Sequence, residues 1–117
     1  MRKSIIVLAA LALLAGCSVA PKDAPQAAYE ATTGFATALK GANAYAALPR
    51  CSTTVPAPCS SHAIIVQMSA AADKADIAVK ALQTIAADTK AQASDVQKAE
   101  NAATVAVAAL VQIIPAH

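Results

Sequence analysis

Few residues in this chain are equipped for chemistry. Its 117 residues include three cysteines, Cys17, Cys51 and Cys59, and two histidines, His62 and His117. A thiolate is both a nucleophile and a soft metal ligand, so covalent or metal chemistry would start at the cysteines. A general base would be sought first at histidine. Neither histidine, however, accompanies a serine in a nucleophile-elbow context, and no glycine-rich phosphate loop is present. The carboxylates are scattered singly. Asp73 and Asp76 stand three apart, which puts them near each other on one side of a helix, and such a pair on a polar face reads as solvated surface rather than an acid/base dyad. The sequence therefore assigns no catalytic residue and no cofactor, and the chain reads as a non-enzyme.

The surroundings of Cys17 are more specific. Met1-Arg2-Lys3 is followed by an apolar run from Ile5 to Leu14 and then by small residues, the layout of an export leader. A run of about ten residues rises roughly 15 Å as a helix, half of the ~30 Å hydrocarbon core, so it reads as a signal and not a membrane span. The junction Leu14-Ala15-Gly16-Cys17 resembles the lipobox of bacterial lipoproteins. That resemblance implies a leader over residues 1–16, a diacylglyceryl thioether on the Cys17 sulfur, cleavage before Cys17 and acylation of the new amino group. Small side chains at Ala15 and Gly16 leave the bond open to a peptidase. At ~0.8 kcal/mol per buried methylene, one acyl chain holds a protein marginally and two or three hold it durably. Ser18 follows the lipidated cysteine. Similarity to lipoproteins of two-membrane bacteria then implies the cell envelope, on the periplasmic face of the outer membrane, with the membrane as partner through the lipid on Cys17. In a single-membrane bacterium the same chain would sit on the outer face of the plasma membrane.

In an oxidising envelope compartment, Cys51 and Cys59 are expected to pair as a disulfide around Ser-Thr-Thr-Val-Pro-Ala-Pro. Two alternatives stay open at the level of sequence. One is metal binding by Cys51, Cys59 and His62, against which stand a cysteine spacing long for a zinc knuckle and the lack of an evident fourth ligand. The other is a regulatory thiol pair, although the spacing is not Cys-x-x-Cys.

These residues need elements to position them. Residues 17–25 read as a short lipidated tether kept extended by Pro21 and Pro25, with a reach of about 25 Å. Beyond it, three apolar series advance by alternating steps of three and four, the signature of one helix face. The first passes through Ala28, Ala31, Phe35, Ala38, Ala42 and Tyr45. The second passes through Ile64, Met68, Ala71, Ala75, Ala78, Leu82 and Ile85, and the third through Val96, Ala99, Ala103, Ala106, Leu110 and Ile113. Asp23 with Gln26, and Ser94 with Gln97, have capping-box spacing, while Ser60 or Ser61 stands where the second helix needs a cap. Pro49 and Pro115 end the first and last helices. The short turn from Asp88 to Ala93 favours antiparallel neighbours. The predicted fold is all-α: a small antiparallel three-helix bundle over residues 26–117 after a lipoprotein signal peptide, with a disulfide-closed loop at 51–59. Gly34 and Gly41, one heptad apart in the first helix, read as a place of close packing or of a slightly frayed helix, or as a strip where a partner helix docks.

Composition limits the function classes. Hydrophobic residues make up 57% of the chain but aromatic ones only 3%, and 30 of the residues from Cys17 onward are alanine. At roughly 25 cal/mol per Å² of buried apolar surface, a methyl-dominated core contributes little per residue, so helix propensity and close backbone approach must carry more of the stability. Nine basic and seven acidic residues give a net charge of +2, and Arg2 and Lys3 belong to the leader, which leaves seven of each sign. A neutral chain without clustered Lys or Arg argues against nucleic acid and against a polybasic membrane patch.

In size, lipobox, alanine-rich body and Cys-Pro-Cys loop, the chain resembles small lipoproteins of bacteria and their prophages. The resemblance implies an envelope-anchored structural or protein-interaction module whose partner is another envelope protein or a further copy of itself. Other lipoprotein types offer alternatives: a small membrane-disturbing (entericidin-like or lytic) lipoprotein, or a phage superinfection-exclusion lipoprotein. The murein-anchored type attaches through a terminal lysine, whereas this chain ends Pro115-Ala116-His117.

Overall fold

The computed structural model describes residues 23–115. The leader, the lipobox with Cys17, most of the tether and His117 lie outside the described residues. Among those described, three helices follow one another: α1, Ala24–Ala46; α2, His62–Ala87; and α3, Ala93–Ile113. The architecture is the all-α bundle expected from the heptad spacing.

Local chemistry explains where each helix starts and stops. Asp23 caps α1, its carboxylate accepting from the Gln26 backbone N–H at 2.9 Å. Only half of the capping box forms, because the Gln26 side chain turns forward to donate to Glu30 at 3.3 Å. Pro25 lies in the first turn rather than in an extended tether; its missing N–H costs nothing there, since first-turn donors have no intrahelical partner. At the other end, the residue before Pro49 is disfavoured in helical geometry, and α1 stops at Ala46. The proposed box of Ser94 and Gln97 does not form. Gln92 occupies the cap of α3 without a side-chain bond, Ser94 is already inside the helix, and Asp95 supplies negative charge to the first turn. Within α1, Thr32, Thr33 and Thr37 each return a hydroxyl to the carbonyl four residues back, a way for polar β-branched residues to sit in a helix.

The helices bury faces close to the expected ones. One cluster joins Ala38, Ala42, Tyr45, Met68 and Leu110 at the end of the bundle near the long connection. A second joins Val79, Leu82 and Ala103 toward the α2–α3 turn, and Phe35 and Val107 pack against both. Ala27, Val79 and Val107 were not in the predicted series, whereas Ala106 faces a surface groove. A helix face is wider than a single line of residues, so neighbours such as Ala27 and Val79 share the buried side while the predicted Tyr45, Leu82 and Leu110 are buried too. Gly41 lies against α3: a β-carbon there would meet Ile114 at 3.4 Å, which is ordinary contact. Gly34 faces open space. Close packing therefore describes Gly41 and not Gly34.

Two hydrogen bonds fix the antiparallel register of α1 and α2. Tyr45 Oη accepts from the Ser61 backbone N–H at 2.8 Å at one end, and Gln83 Nε2 donates to Thr32 Oγ1 at 2.8 Å toward the other. Asp76 and Lys80 form an exposed pair at 2.6 Å, four residues apart on α2. Such a surface pair contributes a few tenths of a kcal/mol.

Candidate functional site

Two features outside the core offer contact surface: the Cys51–Cys59 loop and a groove between α2 and α3. The loop is built from the end of α1 upward. After Leu48-Pro49 the chain runs beside its own return, with Arg50 bridged in parallel to Ser60. Cys51 N–H donates to the Ser60 carbonyl at 3.0 Å, and Ser60 N–H donates to the Pro49 carbonyl at 2.8 Å. The sulfurs of Cys51 and Cys59 stand at bonding distance, with their Cα atoms 4.9 Å apart, so the two cysteines sequence reasoning singled out come together as a disulfide.

Ser60 is the hinge pin of this arrangement. It is 1% exposed, and its hydroxyl donates to the Leu48 carbonyl at 2.9 Å, satisfying a group that the end of α1 leaves open. Of the two serines placed at the start of α2, Ser61 takes the cap position, without a side-chain capping bond; it is held through its backbone by Tyr45. Inside the ring, Val55 N–H donates to the Ser52 carbonyl at 3.3 Å, and the Ser52 and Thr54 hydroxyls lie 3.1 Å apart. Ser52, Thr53, Thr54, Pro56, Ala57 and Pro58 are exposed, with a cis peptide before Pro58.

The chemistry of this end is that of a contact surface. Cysteines bonded to each other are not thiolate nucleophiles or metal ligands. His62 is not drawn toward them; its Nδ1 faces the Arg50 guanidinium at 3.4 Å. A guanidinium only donates, so in this contact Nδ1 is the acceptor. Among the described residues no three His, Cys, Asp or Glu side chains are grouped to hold a metal ion. A loop closed covalently and tied at its base loses little freedom on meeting a partner, which favours binding.

The second feature was not foreseen. A groove of about 840 Å³ runs between α2 and α3, lined by alanines, Val105 and Ile113, with Gln67, Lys74 and Asn101 as its polar members. Val66 and Ile77 on α2 and Val105 on α3 are 53%, 69% and 69% exposed. The signal was in the sequence as apolar residues between the predicted seam positions of α2, which the single-face reading passed over. No described helix is long and apolar enough to cross a membrane.

Comparison with known proteins adds no relative: no protein-family model, curated protein or solved structure matches this chain.

Proposed function

We propose that this chain is a lipid-anchored envelope lipoprotein whose helical bundle serves as a structural or protein-interaction module. The observation that carries the proposal is Leu14-Ala15-Gly16-Cys17 at the end of a short basic and apolar leader, with helix α1 starting at Ala24. Lipid on Cys17 would leave only the residues from Ser18 to Asp23 as a tether, and at ~3.5 Å per residue the bundle would stand about 20 Å from its anchor. The bundle closes its main apolar faces on themselves, so the lipid, and not a helix, would supply the attachment. A disulfide across the exposed loop agrees with an oxidising compartment outside the cytoplasm. The partner would be another envelope protein or a further copy of the chain.

The test is a Cys17→Ser variant followed through cell fractionation and intact mass. The native chain is expected in the membrane fraction with acyl mass added to a terminus at Cys17, and the variant is expected uncleaved and without acyl mass. Correct cleavage and membrane retention of Cys17→Ser would remove the lipoprotein reading. Cross-linking of the tagged native chain in separated inner and outer membranes then identifies what it touches.

A further inference from the structure

We infer that the Cys51–Cys59 ring is a modification site, with the Thr53 hydroxyl as the acceptor of an O-linked sugar. The inference rests on the envelope reading above and adds a covalent feature to the surface of the bundle. Between Cys51 and Ser61 the chain holds Ser52, Thr53, Thr54, Pro56 and Pro58 and no charged residue. Clustered hydroxyl residues with proline are the composition of O-glycosylated segments. The structure then separates one hydroxyl from the rest. Thr32, Thr33, Thr37 and Thr84 each return theirs to the carbonyl four residues back, and Thr104 lies inside α3, where the backbone is already committed to the helix. In the ring, Ser60 is buried and bonded to Leu48, while the Ser52 and Thr54 hydroxyls engage each other. Thr53 is exposed, and its hydroxyl makes no hydrogen bond among the described residues.

The backbone presents that hydroxyl. Val55 N–H closes onto the Ser52 carbonyl and the two residues pair antiparallel, so Thr53 and Thr54 are the corners of a tight turn. The disulfide closes the ring behind them. The 23 residues of α1 rise about 33 Å, which puts the ring at the end of α1 farthest from Cys17, where a bulky substituent meets neither the lipid anchor nor another helix. Thr89 supplies the contrast: it too is exposed in a turn, but it stands between Asp88 and Lys90 with no proline beside it. In the transfer step, Thr53 Oγ1 attacks the anomeric carbon of a sugar carried on a polyprenyl diphosphate, a class of donor that a membrane presents outside the cytoplasm. The bond from that carbon to the diphosphate oxygen breaks, polyprenyl diphosphate leaves with the electron pair, and the hydroxyl proton passes to a base of the transferase.

The experiment is mass spectrometry of the full chain purified from the membranes of its own host, reduced and cut with trypsin. Cleavage after Arg50 and Lys74 puts the ring on peptide 51–74, apart from Cys17 and its lipid. That peptide is expected to carry the mass of one or more sugar residues, placed on Thr53 by fragmentation that leaves the side-chain bond intact. Thr53→Val is expected to lose the added mass with unchanged helix content by circular dichroism, since the side chain it replaces is exposed and outside the helices. Thr89→Val is expected to keep it. Peptide 51–74 at its unmodified mass in the native chain overturns the inference, as does a sugar that persists in Thr53→Val or an added phosphate in place of sugar. An unmodified ring together with acyl mass on Cys17 would overturn this inference and leave the lipoprotein reading standing. Sugar on Thr53 with Cys17 free of lipid would do the reverse.

Discussion

Tyr45 and Gly34 show how differently two residues of one helix bear on stability. Tyr45 is 4% exposed, packs in the larger cluster and uses its hydroxyl to hold the Ser61 N–H, so one side chain ties the end of α1 to the start of α2. Tyr45→Phe keeps the ring but leaves that N–H without its partner. A loss of about 1–2 kcal/mol is expected, read as a lower urea midpoint with unchanged slope. Gly34 sits mid-helix facing open space, and its backbone is not in the left-handed region. Gly34→Ala therefore removes unfolded-chain freedom without a clash, and a gain of about 0.5–1 kcal/mol is expected in the same measurement. A null result at Gly34 would mean that α1 is frayed there in solution.

Among the elements, the connection from Ala47 to Ser61 carries most of the burden. A connection of this length between two helices would ordinarily cost closure entropy and lack a fixed path. Here the Cys51–Cys59 bond, the Ser60 hydroxyl on Leu48 and the short Arg50–Ser60 pairing make it a defined unit. Its cysteines are eight apart in sequence, for which the loop-entropy model gives about 2.5 kcal/mol. Replacing both with serine is expected to lower stability by about that amount while leaving most of the helix signal intact at low temperature, as thermal melts would record. Loss of no stability would mean that the hydrogen bonds at the base hold the loop alone. Stability loss is also expected on reduction of the native chain, and the double serine variant should be insensitive to reductant.

At the scale of the whole molecule, alanine sets the character of the core. The largest fully buried side chains among the described residues are Leu82 and Leu110, one in each cluster. The helices approach each other over small residues such as Ala75 and Ala103, both 0% exposed. With few large side chains to share the load, each is hard to replace. Leu82→Ala and Leu110→Ala are each expected to cost about 2–5 kcal/mol, a large fraction of the stability of a domain this small, and calorimetry would show a strongly lowered or absent transition. A loss below 1 kcal/mol at Leu110 would indicate that its cluster collapses around the cavity.

Much of this architecture was legible along the chain because it rests on local rules. Helices announce themselves through steps of three and four, and prolines limit them whatever they pack against. Two cysteines on one short connection can reach each other in almost any compact fold, so Cys51 and Cys59 were predictable as a pair. Other features needed the third dimension. Whether Ser60 capped a helix or closed off its predecessor depended on which carbonyl lay within reach, and Leu48 is twelve residues away. Which of Ala78 and Val79 was buried depended on where α1 and α3 lay against α2. The groove and its exposed Val105 became visible only once the helices had been assigned their neighbours. A periodic pattern identifies which residues share a side of a helix, but contact with another helix decides which sides are covered and which remain open.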